Sequence, residues 1–176
     1  MSGLALTTLR PEEAEALAEL AERIWRHSYP GIISAAQIDY MLASRYHPPL
    51  IRQTMARGDH WDVVRDGETL VAFAHSFHLE GGAVKLDKLY VHPDWQRRGL
   101  GRLLVERVGA RARTHGRSHL LLRVNRKNAQ AIAAYGKYGF TVVREVVEDI
   151  GGGFVMDDYV MVKPLLRHPL YVPFPK

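Results

Sequence analysis

The residues best suited to chemistry stand together in the run Leu89-Tyr90-Val91-His92-Pro93-Asp94-Trp95-Gln96-Arg97-Arg98-Gly99-Leu100-Gly101-Arg102. An apolar strand ends at Val91. A basic loop with two glycines then leads straight into a helix. Free N–H groups at a helix start, backed by the helix dipole, attract an anion. Gly99 and Gly101 let a phosphate approach the backbone with no Cβ in the way. Arg97, Arg98 and Arg102 add positive charge. The combination reads as a diphosphate cradle, and the alternative is an ordinary glycine-rich turn between strand and helix. Gly-Lys-Ser and Gly-Lys-Thr are absent, which excludes a P-loop. Position 104 is Leu104, so the third glycine of a dinucleotide fingerprint is missing. His75 and His78 lie three apart on a strand and point to opposite faces, so they cannot share an ion. No metal is expected. Gly-x-Ser-x-Gly and His-Glu-x-x-His are also absent.

The segment Gln96-Arg97-Arg98-Gly99-Leu100-Gly101 resembles the Gln/Arg-x-x-Gly-x-Gly/Ala motif of the GNAT superfamily of N-acetyltransferases. The strand Lys88-Leu89-Tyr90-Val91-His92-Pro93 before it is similar too. So is the later run from Asn125-Arg126-Lys127-Asn128 through Tyr135 to Gly139-Phe140. Three segments in the same order over about sixty residues make the resemblance specific. It implies acetyl-CoA as donor substrate. Backbone amides of residues 97–102, with Gln96 and Leu100 inside the motif, would hold the pyrophosphate. Main-chain groups of Leu89 and Val91, on either side of Tyr90, would pair with the pantetheine arm as an added strand pairs with a sheet edge. Asn128 would contact the cofactor, and Asn125 would lie at the mouth of two splayed strands. Tyr135 matches the tyrosine near the thioester sulfur. Elementary chemistry agrees, because a departing thiolate needs a proton and a phenol of pKa about 10 can give one. Tyr135 also shares a helix face with Ile132, so a packing role is the alternative. Residues 24–31 and 153–163 are similar to a bacterial subgroup with some resemblance to polyamine acetyltransferases, which favours a small amine or polyamine as acceptor.

The proton on the attacking amine is a separate question. An alkylamine of pKa near 10 is about one part in a thousand neutral at pH 7. Several family members carry a glutamate six residues before the position of Val91, where this chain has Lys85. Unbroken strand alternation puts Asp87 on the face of Lys85, Leu89 and Val91. Asp87 is then the nearest carboxylate to the acyl group. It could take the proton through a water, hold the substrate ammonium, or pair with Lys85 or Lys88 as a surface salt bridge worth about 0–1 kcal/mol.

The elements that must position these groups follow from periodicity. Residues 5–9 read as a strand. Pro11 opens a helix whose Leu17, Leu20, Ala21 and Ile24 recur at helical spacing. Ser34-Ala35-Ala36-Gln37 is a capping box, and Pro48-Pro49 starts a short helix to about Arg57. Residues 61–65, 69–79 and 83–91 read as successive strands joined by Asp66-Gly67-Glu68 and Glu80-Gly81-Gly82. A helix spans about 99–115, with Leu100, Leu104, Val108 and Ala112 four apart. A strand at 119–124, a helix from Asn128 to Gly139, and strands 140–147 and 154–162 complete the chain. The expected fold is α/β: a mixed, mostly antiparallel sheet with helices on both faces, splayed between the strands ending near Val91 and Val124. One N-acetyltransferase domain over 1–163 and a proline-rich tail over 164–176 are expected.

Composition agrees. The 176 residues suffice for one core that buries roughly 70% of the unfolded chain's surface. Apolar residues are 47% and charged residues 24%, an ordinary globular balance. No apolar run reaches 18 residues, so no membrane-spanning helix is expected. The first residues do not read as a secretory leader. Cysteine is absent, which removes disulfides and thiolate chemistry and makes a cytoplasmic setting the expectation. The net charge of +5 is uneven: residues 97–127 hold ten basic residues and one acid, Glu106. Such a block suits an anionic ligand. A CoA-binding or nucleic-acid-binding regulator without turnover is the rival reading. Nucleic acid is disfavoured, because residues 97–127 contain no Phe, Tyr or Trp on which bases could stack. The expected partner is a small amine, and the chain a monomer or homodimer.

Overall fold

The computed structural model describes residues 3–165. Seven strands form one sheet in the order β1-β2-β3-β4-β5-β7-β6. They are β1 (Leu4–Thr8), β2 (His60–Asp66), β3 (Thr69–His78), β4 (Ala83–Val91), β5 (His119–Asn125), β6 (Thr141–Gly151) and β7 (Phe154–Pro164). Only the β4–β5 pair is parallel. The sheet is therefore mixed and mostly antiparallel, as expected from the sequence.

Helices cover both faces because each presents one apolar stripe. On one face lie α1 (Ala14–Ser28), α2 (Ala35–Arg45) and α3 (Pro48–Ala56). The Leu17, Leu20, Ala21 and Ile24 stripe of α1 is buried there with Trp61, Val63 and Phe73 of the sheet. Ser34 caps α2 by accepting from the Gln37 N–H at 3.1 Å. On the other face lies α4 (Leu100–Thr114), whose Leu100, Leu104, Val108 and Ala112 bury against Val84, Leu86, Leu120 and Leu122. The short α5 (Ala129–Lys137) follows β5 and packs partly on the same core through Ile132 and Tyr135. β7 continues through Pro164, and Leu165 is buried, its carbonyl accepting from Arg113 Nε at 3.2 Å. Residues 166–176 of the expected tail lie outside the described residues.

One irregularity matters for function. Between His75 and Ser76 the β3–β4 register slips: His75 faces Lys88 and Ser76 faces Leu86, so Asp87 has no partner. This is a β-bulge, and it inverts the side-chain alternation of β4 at that point. Val84 and Leu86 before it, and Leu89 and Val91 after it, all reach the α4 face. Tyr90 packs with the α1–α3 cluster.

Candidate active site

β4 and β5 begin as partners and then part. Ala83, Val84 and Lys85 pair with His119, Leu120 and Leu121, and no pair follows. β5 stays with β7 as far as Asn125 opposite Asp158. From Leu86 onward the β5-facing main chain of β4 meets open space, although backbone N–H and C=O groups require partners. The gap is a cleft of about 880 Å³, within the range of small-molecule sites.

The expected cradle forms one end of this cleft. Gly99 precedes α4 in the left-handed region at φ +80°, where a side chain would be strained. Arg97 is also left-handed at φ +62°, the one non-glycine residue so placed among the described residues. Gln96 Nε2 donates to the Val91 carbonyl at 3.3 Å and ties the loop to the strand end. Gln96, Arg97, Gly99, Leu100 and Gly101 all line the cleft. A Cβ at Gly101 would stand 2.7 Å from the Tyr138 hydroxyl oxygen, so a side chain there forces the Tyr138 ring to shift. Arg98 and Arg102 are not among the lining residues. The Arg98 guanidinium stacks 4.7 Å from the Trp95 ring centroid, and that of Arg102 lies 5.3 Å from Tyr138.

The side walls hold the other expected residues. Leu89, Tyr90 and Val91 line one side, and Asn125 and Asn128 the other. Asn128 Oδ1 accepts from the Ala131 N–H at 3.2 Å and caps α5. Asn125 Oδ1 accepts from the Lys127 N–H at 2.9 Å. Tyr135 lines the cleft from α5, its ring edge-on to Phe140 at 5.9 Å and Tyr138 at 6.5 Å. Its hydroxyl has no hydrogen-bond partner among the described residues. Burial, helped by the nearby Tyr29 and Tyr138 phenols, pushes that hydroxyl well above the usual phenol range. Tyr90 turns away toward α1, where its hydroxyl meets that of Tyr29 at 3.0 Å and Trp25 stacks on Tyr29 at 4.1 Å. Burial pushes the Tyr29 phenol up to about 12.

Asp87 corrects the sequence expectation. The bulge separates it from the face of Leu89 and Val91, because alternation does not survive an extra residue. Its carboxylate accepts from Lys88 Nζ at 2.6 Å and lies 3.3 Å from His75 Nδ1. His75 in turn stacks on Trp61 at 4.3 Å, and its Nε2 lies 2.7 Å from Asp59. Lys88 is 8% exposed and sits over the Tyr46 and Trp61 rings at 5.3 and 5.6 Å. The ion pair with Lys88 is thus buried rather than on the surface. Burial raises the Asp87 carboxyl, but the bonds from His75 and Lys88 and the lysine charge prevail and hold it far below the carboxylate range.

The sequence reading missed Asp158. This β7 residue is 4% exposed and lines the cleft opposite Asn125. Its Oδ2 accepts from Arg123 Nε at 3.2 Å, and its Oδ1 has no partner. Burial raises its carboxyl above the usual range despite Arg123. The signal was available: Phe154, Met156, Asp158 and Val160 form one period-two face, and an acid inside an apolar face marks a buried carboxylate.

The basic segment is not one patch. Arg111 is bidentate to the buried Asp62, with Nη1–Oδ2 at 2.9 Å and Nη2–Oδ1 at 2.5 Å. Arg117 donates to the Leu79 carbonyl and Arg123 to Glu148 and Asp158. Arg97, Arg123 and Lys127 line the cleft.

Comparison with known proteins agrees with this geometry. A sequence profile described as the Acetyltransferase (GNAT) family matches residues 15–140. A spermidine N(1)-acetyltransferase of Thermoplasma acidophilum is 24% identical over 159 residues, covering 88% of this chain and 96% of that protein. An IAA acetyltransferase of Azospirillum brasilense is 32% identical over 127 residues, 72% of this chain and 77% of the other. Among solved structures, the PaiA N-acetyltransferase of Thermoplasma acidophilum in complex with coenzyme A superposes with a TM-score of 0.79. It is 23% identical and covers 92% of this chain and 99% of its own, a likeness of fold. No described helix is long and apolar enough to cross a membrane.

Proposed function

The chain belongs to the GNAT acetyltransferase family, whose members are acetyl-CoA-dependent N-acetyltransferases, and we propose that it moves the acetyl group onto a primary amine in the β4–β5 cleft. One observation carries this reading. The cleft runs from a glycine-rich helix start to a free tyrosine hydroxyl, along a strand edge that lacks a partner.

The diphosphate of acetyl-CoA takes the N–H groups at the start of α4, where the helix dipole favours an anion and Gly99 and Gly101 keep the approach clear. Arg97 adds charge from the lining, and Arg98 and Arg102 add it from outside. The pantetheine arm pairs with the free edge of β4 at Leu89 and Val91. Asn128 and Asn125, whose side-chain oxygens are engaged, offer their amide N–H groups. The amine nitrogen attacks the thioester carbon, and a β4 N–H near Leu89 stabilises the oxyanion. The C–S bond breaks, and Tyr135 protonates the leaving thiolate. The amine proton leaves through water to Asp158. Asp158 suits this task better than Asp87, because a carboxyl raised by burial is the stronger base. Asp87 is a positioning residue that fixes Lys88 at the bulge.

Two measurements test these assignments. Acetyl-CoA at about 100 times its Kd stabilises the wild type by about 2.7 kcal/mol. Gly101→Val drives a methyl group into the Tyr138 hydroxyl and abolishes that shift; a full shift in the variant removes the cradle from the binding site. Asp158→Asn lowers kcat/KM at neutral pH by at least about tenfold, within the range for a lost base. That loss shrinks as pH rises toward the amine pKa. A pH profile parallel to the wild type removes Asp158 from proton transfer.

A further inference from the structure

Charge pairing at the end of the cleft away from α4 bears on the acceptor. Three acids line the cleft, Asp87, Glu148 and Asp158, and each already has a basic partner. Asp87 is held by Lys88. Glu148 and Asp158 are both held by Arg123, whose Nη1 and Nε point to one carboxylate each. Arg123 carries one charge for two carboxylates, so these pairs leave one negative charge, and Lys85 and Arg45 bring this end of the cleft to one net positive charge. The cations differ. Lys85 and Arg45 both line the cleft, and neither has a hydrogen-bond or ion-pair partner among the described residues.

Lys85 is half-buried on β4, where β4 and β5 still pair, at the root of the splay. Arg45 comes from the last turn of α2. A half-buried ammonium without a partner is unfavourable, and a like charge nearby adds to the cost. Burial lowers the Lys85 pKa; Asp87 and Asp158 pull it up, Arg123 and Arg45 push it down, and the lowering prevails. An anion arriving here relieves both penalties, whereas a second ammonium increases them. The site lies beyond Leu89, on the far side from the diphosphate cradle, so the cofactor's phosphates do not serve it.

We propose that Lys85 and Arg45 recognise an anionic group on the acceptor, so that the acceptor is a small primary amine that also carries a carboxylate rather than a polyamine. This rests on the acetyl-transfer reading and adds the acceptor's charge to it. The amine end faces the thioester and Asp158, and the carboxylate faces Lys85 with Arg45 at the rim.

The test pairs each carboxylated amine with its partner lacking the charge: glycine with glycinamide, β-alanine with ethylamine, 4-aminobutanoate with propylamine, and spermidine beside them. Release of CoA thiol gives kcat/KM. Thermal stabilisation of the CoA-bound protein gives binding independently of turnover. At least one carboxylated amine exceeds its partner by tenfold or more, spermidine ranks below it, and only the carboxylated amine shifts the melting temperature. Lys85→Gln and Arg45→Gln each reduce the ratio within the pair, and Lys85→Arg restores it. Equal kcat/KM within every pair, or spermidine as the best acceptor, overturns the proposal while leaving acetyl transfer intact. If no amine turns over, acetyl transfer to amines fails, and the melting-temperature arm still decides whether Lys85 binds the carboxylate.

Discussion

Tyr135→Phe lowers kcat by about 10- to 100-fold and leaves the Kd for acetyl-CoA nearly unchanged, as expected for loss of a general acid. The phenylalanine keeps the ring contacts with Tyr138 and Phe140, so the wall of the cleft keeps its shape. What disappears is one hydroxyl with no other partner. That hydroxyl stays protonated at every working pH, because burial keeps its pKa high. A thiol of pKa about 8.5 leaves with negative charge developing on sulfur, and the Tyr135 O–H offsets that charge in the transition state by donating to it. The loss falls on kcat with binding intact, the pattern of an interaction made only in the transition state. Steady-state kinetics beside equilibrium CoA binding measure both. Turnover within a factor of two of wild type assigns Tyr135 to packing.

Asp87→Asn destabilises the fold by about 3–5 kcal/mol at neutral pH, the cost of leaving a buried charge without its partner. The stranded charge is Lys88, enclosed by Tyr46, Trp61 and His75. The pH dependence carries a sign. The folded carboxyl is held far below its unfolded value of about 3.9. Its contribution is therefore complete above about pH 4 and declines as pH falls from there. The gap between variant and wild type narrows over that same acid range. Urea unfolding at pH 7 and pH 3 measures it. An equal gap at both pH values, or none at pH 7, contradicts the buried-pair account. A stability near that of wild type with kcat/KM lost at neutral pH and recovered toward the amine pKa returns Asp87 to the role of base.

Local signals carried most of the elements. The four-residue spacing of Leu100, Leu104, Val108 and Ala112, the Ser34 cap and the 83–91 strand all depend on near neighbours in the chain, and all are present. The cradle was legible for the same reason, because its glycines, its loop and its helix start are contiguous. The bulge at Asp87 was not. It depends on how β3 lies against β4, a register that no local pattern specifies. That single extra residue put Leu89 and Val91 on the face opposite Asp87, and the salt bridge with Lys88, one of the readings open to Asp87, lies buried rather than on the surface. Arginine pairing was hidden likewise. Asp62 and Arg111 are 49 residues apart in sequence, so a block that looks like one basic patch is divided among separate internal partners. Asp158 stands beside Asp157 and reads as half of an exposed acidic pair, until alternation with Met156 and Val160 places it inside.

The most direct measurement of the central claim is mass spectrometry of the amine after incubation with acetyl-CoA and the purified protein, with free CoA thiol counted in parallel. Acetyl transfer predicts an amine heavier by one acetyl group, with one thiol released per product, and loss of both signals in Gly101→Val. Acetyl-CoA bound tightly, but with thiol release no faster than hydrolysis without protein across the amine panel, would contradict it and leave a protein that holds CoA without turning it over.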